Sequence, residues 1–224
     1  MITRSRLSYL KALGIDVWVR RELAAISAPG DVSRRAVTVN EMDWEELSAA
    51  VAGCTKCGLH QGRFQTVFGV GNREADWMLI GEAPGAEEDR QGEPFVGRAG
   101  QLLNAMLTAI GLERSAVYIA NILKCRPPSN RDPRPEEALC CEPYLKRQIA
   151  LVKPRVILAL GRIAAQNLLK TEAPIGRMRG KIYEYEPLKI PIVVTYHPAY
   201  LLRSPTQKAR AWEDLLTARR LLAT

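Results

Sequence analysis

The sequence predicts an α/β fold with a mostly parallel sheet that helices cover on both faces. From about residue 66 onward, short apolar runs of strand length alternate with helical segments. Three of these runs lead directly into segments whose residues can carry chemistry: GEAPG after residue 80, NILKC from residue 121 and YHP after residue 195. Because ligands bind at the carboxyl ends of the strands in such sheets, the sequence places a candidate site at that edge.

Each element has a local signal. Asp43 is a typical helix N-cap residue, and the helix that it starts continues through Trp44 and Leu47 to Gly53. Strands are predicted at residues 66–68, 77–80, 117–122, 156–160 and 192–195. Further helices are predicted at residues 99–110, 135–152, 163–169 and 207–222.

The N-terminal part of the chain does not follow this pattern. A short helix is predicted within residues 1–22, whereas residues 23–42 show no sustained period and contain a Pro-Gly turn signal. We therefore expect an N-terminal extension and linker of unassigned role, residues 1–42, and one folded domain, residues 43–224.

Composition and charge narrow the class of protein. The chain has 224 residues, 47% of them hydrophobic, and 32 Lys and Arg against 24 Asp and Glu give a net charge of +8. This composition is globular and excludes a disordered chain. Without an apolar run of the roughly 18–20 residues that a membrane helix needs, or a signal peptide, we expect a cytoplasmic protein. The positive charge favours a polyanionic partner, although charge alone does not identify nucleic acid.

The cysteines form a candidate metal site. Cys54 and Cys57 make a C-x-x-C pair, and Cys125, Cys140 and Cys141 lie downstream. In a reducing compartment, these thiols favour a structural zinc ion or an iron–sulfur cluster over disulfides. The lack of a second C-x-x-C pair favours a cluster mildly, but spacing does not separate the two metals. The other interpretation is a set of small buried hydrophobic side chains.

The segment GEAPGAEED, residues 81–89, follows the strand at 77–80. It matches neither glycine-rich nucleotide-binding pattern, so phosphate binding is unsupported. Its glycines and proline predict a tight turn whose backbone N–H groups hold a planar ligand or a water. A divalent-metal site of the kind that nucleases use, or a solvated acidic loop, are the alternatives. The carboxylates in question are Glu82, Glu87, Glu88 and Asp89.

Two further loops carry candidate residues. Phe95, one of only three phenylalanines, is either a stacking platform or a core residue. His197, one of two histidines, is either catalytic or a hydrogen-bonded structural residue. The apolar pair Leu201 and Leu202, beside Arg203, belongs either to the core or to a wedge that enters a DNA duplex.

Together these segments resemble the family 4 uracil-DNA glycosylases, the iron–sulfur branch of the uracil-DNA glycosylase superfamily. The resemblance rests on the C-x-x-C pair and on GEAPGAEEDRQGEPFVGRAGQLL (81–103), NILKCRPPSNRDPRPEEALCC (121–141) and HPAYLLR (197–203). It implies a three-layer α/β/α sandwich with a central, mostly parallel sheet. It also implies a glycosylase domain over residues 43–224 that releases uracil from DNA. A structural 4Fe-4S cluster is implied as well, held by Cys54, Cys57, Cys125 and Cys141, with Cys140 as the spare cysteine.

The resemblance implies a role for each remaining segment. The target nucleotide is flipped out of the duplex, and the loop over residues 197–203 holds the gap open. The wedge residues are Leu201, Leu202 and Arg203. Phe95 is expected to stack on the uracil, and Asn121 to accept from N3–H and donate to O4, a pattern that cytosine reverses.

The bond cleavage itself is assigned to two side chains. His197 is expected to donate to uracil O2 and stabilise the departing anion. Glu82 is expected to orient the water or balance the sugar cation, since this chain has Ala83 where relatives in other families of the superfamily carry Asp or Asn. Glu88 is expected to exclude the thymine methyl group. The turn that binds the base consists of Gly81, Ala83, Pro84 and Gly85.

The leading hypothesis is therefore a monofunctional glycosylase of base excision repair, because the motif segments offer no lysine that we would nominate for a Schiff base. A catalytically silent iron–sulfur module that only binds DNA is the alternative, besides the nuclease. We expect a monomer that acts on uracil-containing DNA away from membranes, with a replication or repair protein as a candidate partner. Basic residues that are candidates to extend the DNA track are Arg177, Arg179, Lys181, Lys208 and Arg210.

Overall fold

The computed structural model of the protein describes residues 12–13 and 38–222. The chain divides into two compact units, Met1–Val37 and Thr38–Thr224. Most of the helix expected within residues 1–22, and most of the linker, lie outside the described residues. The second unit begins at Thr38, whereas the sequence places the boundary after residue 42; Val39 and Met42 pack against the cluster formed by Leu47, Val51 and Tyr144.

Six strands form the central sheet. In chain order they are β1 (Val70–Gly71), β2 (Trp77–Gly81), β3 (Tyr118–Asn121), β4 (Val156–Leu160), β5 (Ile182–Tyr185) and β6 (Ile190–Thr195). Their order across the sheet is β1-β3-β2-β4-β6-β5. The four inner strands run parallel, and the two edge strands are antiparallel to their neighbours. The prediction of a mostly parallel sheet is confirmed.

Eight α-helices are described beside the sheet. They are α1 (Trp44–Ala52), α2 (Ala86–Gln91), α3 (Arg98–Ala109), α4 (Pro135–Val152), α5 (Arg162–Leu169), α6 (Ile175–Met178), α7 (Pro198–Arg203) and α8 (Lys208–Arg220). Helix α1 begins where predicted, because Asp43 and Glu46 each accept a hydrogen bond from the other's backbone N–H. Within the part of the chain that the structure covers, none of the helices combines the length and apolar character that crossing a bilayer requires.

The sheet lies between two helical layers. Successive side chains of an inner strand alternate between two hydrophobic clusters, as the two-residue period of a strand requires. Met78 and Ile80 of β2 share one cluster with residues of α4 and α5. Trp77 and Leu79 share the other with residues of α3 and α8. This is the three-layer α/β/α sandwich that the resemblance implies.

The predicted strand at residues 66–68 is wrong. Val67 donates a single backbone hydrogen bond to Lys124 O at 2.8 Å, and the edge strand β1 begins only at Val70. At Gly71, φ is +119° and a Cβ would lie 1.9 Å from Val117 O, so this edge depends on glycine. Strand β5 had no prediction, because its exposed position gives it a mixed polar sequence, IYEY, without an apolar run.

Two segments expected as loops are short helices. Residues 86–91 form α2 and residues 198–203 form α7, each of six residues. A helix of that length spans less than two turns, so its apolar period is too short to detect in the sequence. In both cases the preceding residue, Gly85 or His197, is the N-cap.

Candidate functional site

A cleft of about 440 Å³ opens at the carboxyl ends of β2, β3 and β6. The structure brings most of the predicted site residues together there, although they come from three separate segments. Those that line the cleft are Glu82, Ala83, Pro84, Gly85, Phe95, Asn121, His197 and Arg203. A larger cavity of about 530 Å³ lies beside α4, α5 and β5, and none of the predicted site residues lines it.

Gly81 lies under the cleft and shapes it by having no side chain. A Cβ at this position would lie 2.5 Å from Asn121 Oδ1 and 2.7 Å from the ring of Phe95. These separations are too short for any other residue unless both side chains shift. The last residue of β2 therefore lets the amide and the aromatic ring approach each other closely.

Asn121 ends β3 and offers an unused hydrogen-bond acceptor. The residue is 2% exposed, and its Oδ1 has no hydrogen-bond partner within residues 38–222 of the structure. A buried polar atom without a partner is energetically costly. Since Asn121 lines the cleft, this oxygen is placed to accept a hydrogen bond from a ligand's N–H group.

Phe95 contributes a fixed aromatic ring. It is 6% exposed, and its backbone adopts a φ of +54°, which is unusual for a residue other than glycine. Its ring centroid lies 5.5 Å from that of His197, with an angle of 30° between the planes. The ring and the imidazole thus border the same space.

Glu88 joins the two loops that form this part of the cleft. One carboxylate oxygen, Oε2, accepts from Gly85 N at 3.1 Å. The other, Oε1, accepts from Val96 N at 3.0 Å and from Gly97 N at 3.1 Å. The side chain therefore holds the turn after β2 against the loop that carries Phe95.

Glu88→Ala is expected to lower the free energy of unfolding by about 1–3 kcal/mol, because three backbone N–H groups lose a charged acceptor. The midpoint of urea denaturation measures the loss. Glu87→Ala is the matched control on the same helix: Glu87 forms an exposed pair with Arg90, which contributes only about 0–1 kcal/mol. Equal losses in the two variants would contradict the clamping role.

His197 is a neutral hydrogen-bond donor at physiological pH. Its Nδ1 accepts from Ala199 N at 3.1 Å, so the neutral ring carries its proton on Nε2. Burial, and then the nearby charge of Arg203, lower the pKa of His197 to about 4, while Glu88 opposes the shift. The ring can therefore donate from Nε2 without first becoming charged.

Glu82 is a half-buried carboxyl group next to a charged pair. Burial, and then the carboxylate of Asp132, raise the pKa of Glu82 to about 7, and Arg162 opposes the shift. Asp132 lines the same cleft and accepts from Arg162 Nη2 at 2.6 Å. Near neutral pH, the side chain of Glu82 is therefore protonated in part of the molecules and ionised in the rest.

The remaining carboxylates of residues 81–89 do not gather around one point. Glu87 pairs with Arg90, Glu88 binds three backbone N–H groups, and the buried Asp89 accepts from Phe64 N at 3.1 Å. Among the described residues, no three carboxyl, imidazole or thiol groups are placed to hold a single metal ion. The nuclease alternative therefore loses the acidic site on which it rests.

The structure separates the three residues expected to form the wedge. Leu201 is 1% exposed and packs with Tyr196 and Ala211, so the prediction that it enters DNA is wrong: its side chain is already part of the core. Leu202, one position further along α7, is 37% exposed. Arg203 lines the cleft.

Arg179 does not belong to a DNA-binding track. Its Nε and Nη2 donate to the two carboxylate oxygens of Asp214 at 2.7 and 2.9 Å, and its side chain is only 9% exposed. It also lies over the ring of Tyr196, 4.3 Å from the centroid. A guanidinium group that is neutralised inside the protein is not available to phosphates.

All five cysteines surround one small pocket. Cys125 and Cys141 are buried, and Cys54 and Cys57 are partly exposed. Arg63 bridges the two halves of the set, donating to Cys125 Sγ at 3.2 Å and to Cys54 O at 2.8 Å. No three of these thiols are placed to hold a single metal ion, but distant parts of the chain bring soft sulfur donors, the ligands that iron–sulfur clusters use, around one pocket. Cys140 differs from the others, since its thiol donates to Lys56 O at 3.5 Å.

Several cleft residues were missed by sequence reasoning. In the segment between Cys125 and Cys141 only the cysteines have a predicted role, although the segment follows the carboxyl end of β3, where a site is expected. That rule would have indicated residues 127–132. The missed lining residues are Ala99, Pro127, Asn130, Arg131, Asp132, Ala199 and Tyr200.

Comparison with known proteins agrees with this geometry. The model of the family described as "Uracil DNA glycosylase superfamily" matches residues 68–216. The chain is 49% identical over 167 residues to the type-4 uracil-DNA glycosylase of Archaeoglobus fulgidus, covering 72% of this chain and 84% of the relative. For the type-4 enzyme of Pyrobaculum aerophilum the identity is 43% over 180 residues, or 78% and 92% of the two chains. For that of Thermotoga maritima it is 42% over 167 residues, or 74% and 86%. With the fold, the cleft and the cysteine set in agreement, the chain belongs to the uracil DNA glycosylase superfamily and, within it, to the type-4 uracil-DNA glycosylases.

Proposed function

We propose that this protein is a monofunctional uracil-DNA glycosylase that hydrolyses the N-glycosidic bond of deoxyuridine in DNA and releases free uracil. The observation that carries the proposal is the cleft in which a neutral imidazole, an aromatic ring and an unpaired buried amide oxygen meet. The relatives named as type-4 uracil-DNA glycosylases support the same activity.

Recognition of the base rests on Asn121 and Phe95. The free Oδ1 of Asn121 accepts from uracil N3–H, and its amide nitrogen donates to O4. Cytosine has an acceptor at N3 and a donor at position 4, so both contacts would be mismatched. Phe95 stacks on the flipped base, which contributes about 1–3 kcal/mol. Glu88, at the wall of the cleft, excludes the methyl group of thymine.

Cleavage of the bond leaves the electron pair on uracil and positive charge on the sugar. His197 donates a hydrogen bond from Nε2 to uracil O2 and thereby stabilises the departing anion. The neutral ring keeps its proton in doing so. The backbone N–H groups of Glu82 and Ala83 add to this stabilisation, since Pro84 has no N–H and that of Gly85 is bound by Glu88. Glu82, as the carboxylate, orients the water that attacks the sugar carbon, accepts the proton that this water loses and offsets the positive charge of the sugar.

Contacts to the duplex are assigned to α7. Leu202 is the wedge that fills the space left by the flipped nucleotide, since its side chain is exposed and that of Leu201 is not. Arg203, which follows this wedge in the chain and lines the cleft, binds backbone phosphate. We further propose that residues 43–224 act as the glycosylase domain, as a cytoplasmic monomer.

We propose a 4Fe-4S cluster bound by Cys54, Cys57, Cys125 and Cys141. The cluster supplies a structural cross-link between the segment after α1 and the segments around α4, and takes no part in the reaction at the base. Cys140 is the spare cysteine, because its thiol is directed to the carbonyl of Lys56.

Cys141→Ser is expected to remove most of the iron, whereas Cys140→Ser is expected to retain it. Anaerobically purified wild type should contain about four iron atoms per chain and absorb near 400 nm through sulfur-to-iron charge transfer. Iron analysis and the visible spectrum of the three proteins measure this. Loss of iron in both variants, or in neither, would contradict the assignment of the ligands.

The activity is tested with an oligonucleotide that contains one deoxyuridine, followed by alkali. We expect strand cleavage at the uracil and no cleavage of the matched oligonucleotide with cytosine. Absence of cleavage by protein with a full iron content would overturn the proposal. Unimpaired binding to uracil-containing DNA with no release of uracil would instead identify the catalytically silent module.

A further inference from the structure

We infer that Asp132, held in place by Arg162, is a positioning residue that sets the charge of Glu82 and thereby the pH range in which the enzyme works. This inference rests on the proposed function, because it concerns the carboxylate that orients the water. The sequence motifs gave Asp132 and Arg162 no role.

Three separate parts of the fold bring these groups together. Glu82 follows the end of β2, Asp132 precedes α4, and Arg162 is the first residue of α5 after β4. Arg162 Nη2 lies 2.6 Å from Asp132 Oδ2. Glu82 and Asp132 both line the cleft, and the charge of Asp132 acts on the carboxyl group of Glu82.

The charge balance at Glu82 depends on this pair. Burial makes the largest contribution to the raised pKa of Glu82, the carboxylate of Asp132 raises it further, and Arg162 opposes the shift. Of the other charged or titratable groups of the cleft, Arg131 and Glu88 are engaged elsewhere, and the ring of Tyr200 packs against that of Tyr196. Arg131 is bound by both carboxylate oxygens of Glu137, and Glu88 binds backbone N–H groups. His197 is neutral, and Arg203 lies beside it.

The pair has little to contribute to the fold itself. The side chains of Arg162 and Asp132 are 47% and 62% exposed, and exposed ion pairs add little stability. Asp132 lines the cleft and Arg162 binds it there, so the location of the pair matters more than its strength as a salt bridge. Charges near a functional carboxyl group tune the pH at which it ionises.

The experiment measures the single-turnover rate of uracil release between pH 5 and 9 for five proteins: wild type, Asp132→Asn, Arg162→Gln, the double variant and Glu82→Gln. In the wild type, we expect the rate to rise with pH through about 7, as Glu82 loses its proton. Asp132→Asn should move this rise to lower pH and Arg162→Gln to higher pH, each by on the order of half to one pH unit. The double variant should lie between them, and Glu82→Gln should lack the rise.

Opposite shifts from the two halves of one salt bridge are not expected from a structural role, which would shift neither or weaken both alike. Arg155→Gln, which removes a similarly exposed pair with Asp76, is the matched control and should leave the profile unchanged. Shifts in the same direction, unshifted profiles, or a rise that persists in Glu82→Gln would overturn the inference. If wild type releases no uracil, the proposed function fails instead, so the two failures are distinguishable.

Discussion

His197→Asn is expected to lower the single-turnover rate of uracil release by about 10²–10³-fold at neutral pH, the usual cost of removing one preorganised donor to a developing anion. Asparagine is a suitable replacement because it is itself a good N-cap residue. It can accept from Ala199 N as His197 does, so α7 should remain folded. Rapid-quench kinetics with a uracil-containing oligonucleotide measure the rate, and the melting temperature checks the fold.

The pH profile of this variant separates the two catalytic groups. With its pKa lowered to about 4, His197 is neutral throughout the range in which Glu82, with a pKa of about 7, loses its proton. The rise of the rate through neutral pH should therefore persist in His197→Asn at a lower absolute rate. If the rise disappeared with the imidazole, the titrating group would be His197, and the assignment of a neutral donor would be wrong.

The inner strands could be predicted because a strand that is buried on both faces consists almost entirely of apolar residues. Residues 156–160, VILAL, are all apolar, and β4 covers the whole of this run. The edge strand β5 has one buried residue among four, so nothing in its composition separates it from a turn. The short helices α2 and α7 could not be predicted for a different reason: neither is long enough to display a helical period.

Site residues also could be predicted where the signal lies in neighbouring residues, and could not where it depends on the course of the chain. Three site residues could be predicted because each lies at or just beyond the end of an inner strand, where ligands bind in parallel sheets. They are Glu82, Asn121 and His197. Asp132 reaches the cleft only through the course of the chain between β3 and α4, which no short-range pattern specifies. The sequence alone does not distinguish Leu201 from Leu202. Which of the two side chains is buried depends on the face of α7 on which it lies.

Asn121→Asp is expected to slow the release of uracil about 10- to 100-fold and to narrow the preference for uracil over cytosine. The amide offers uracil one acceptor and one donor, whereas a carboxylate offers two acceptors and leaves O4 facing a negative charge. Toward cytosine the change acts in the opposite sense, because the 4-amino group gains an acceptor.

The preference is measured as the ratio of release rates from oligonucleotides that differ only in the target base. Asn104→Asp, at an exposed position on α3 where the side chain accepts from Arg114, makes the same chemical change outside the cleft and should leave both rates unchanged. Asn121 Oδ1 is buried and has no hydrogen-bond partner among the described residues, so it is available to a ligand. An unaltered preference for uracil over cytosine in Asn121→Asp would therefore show that discrimination between these two bases lies elsewhere in the cleft.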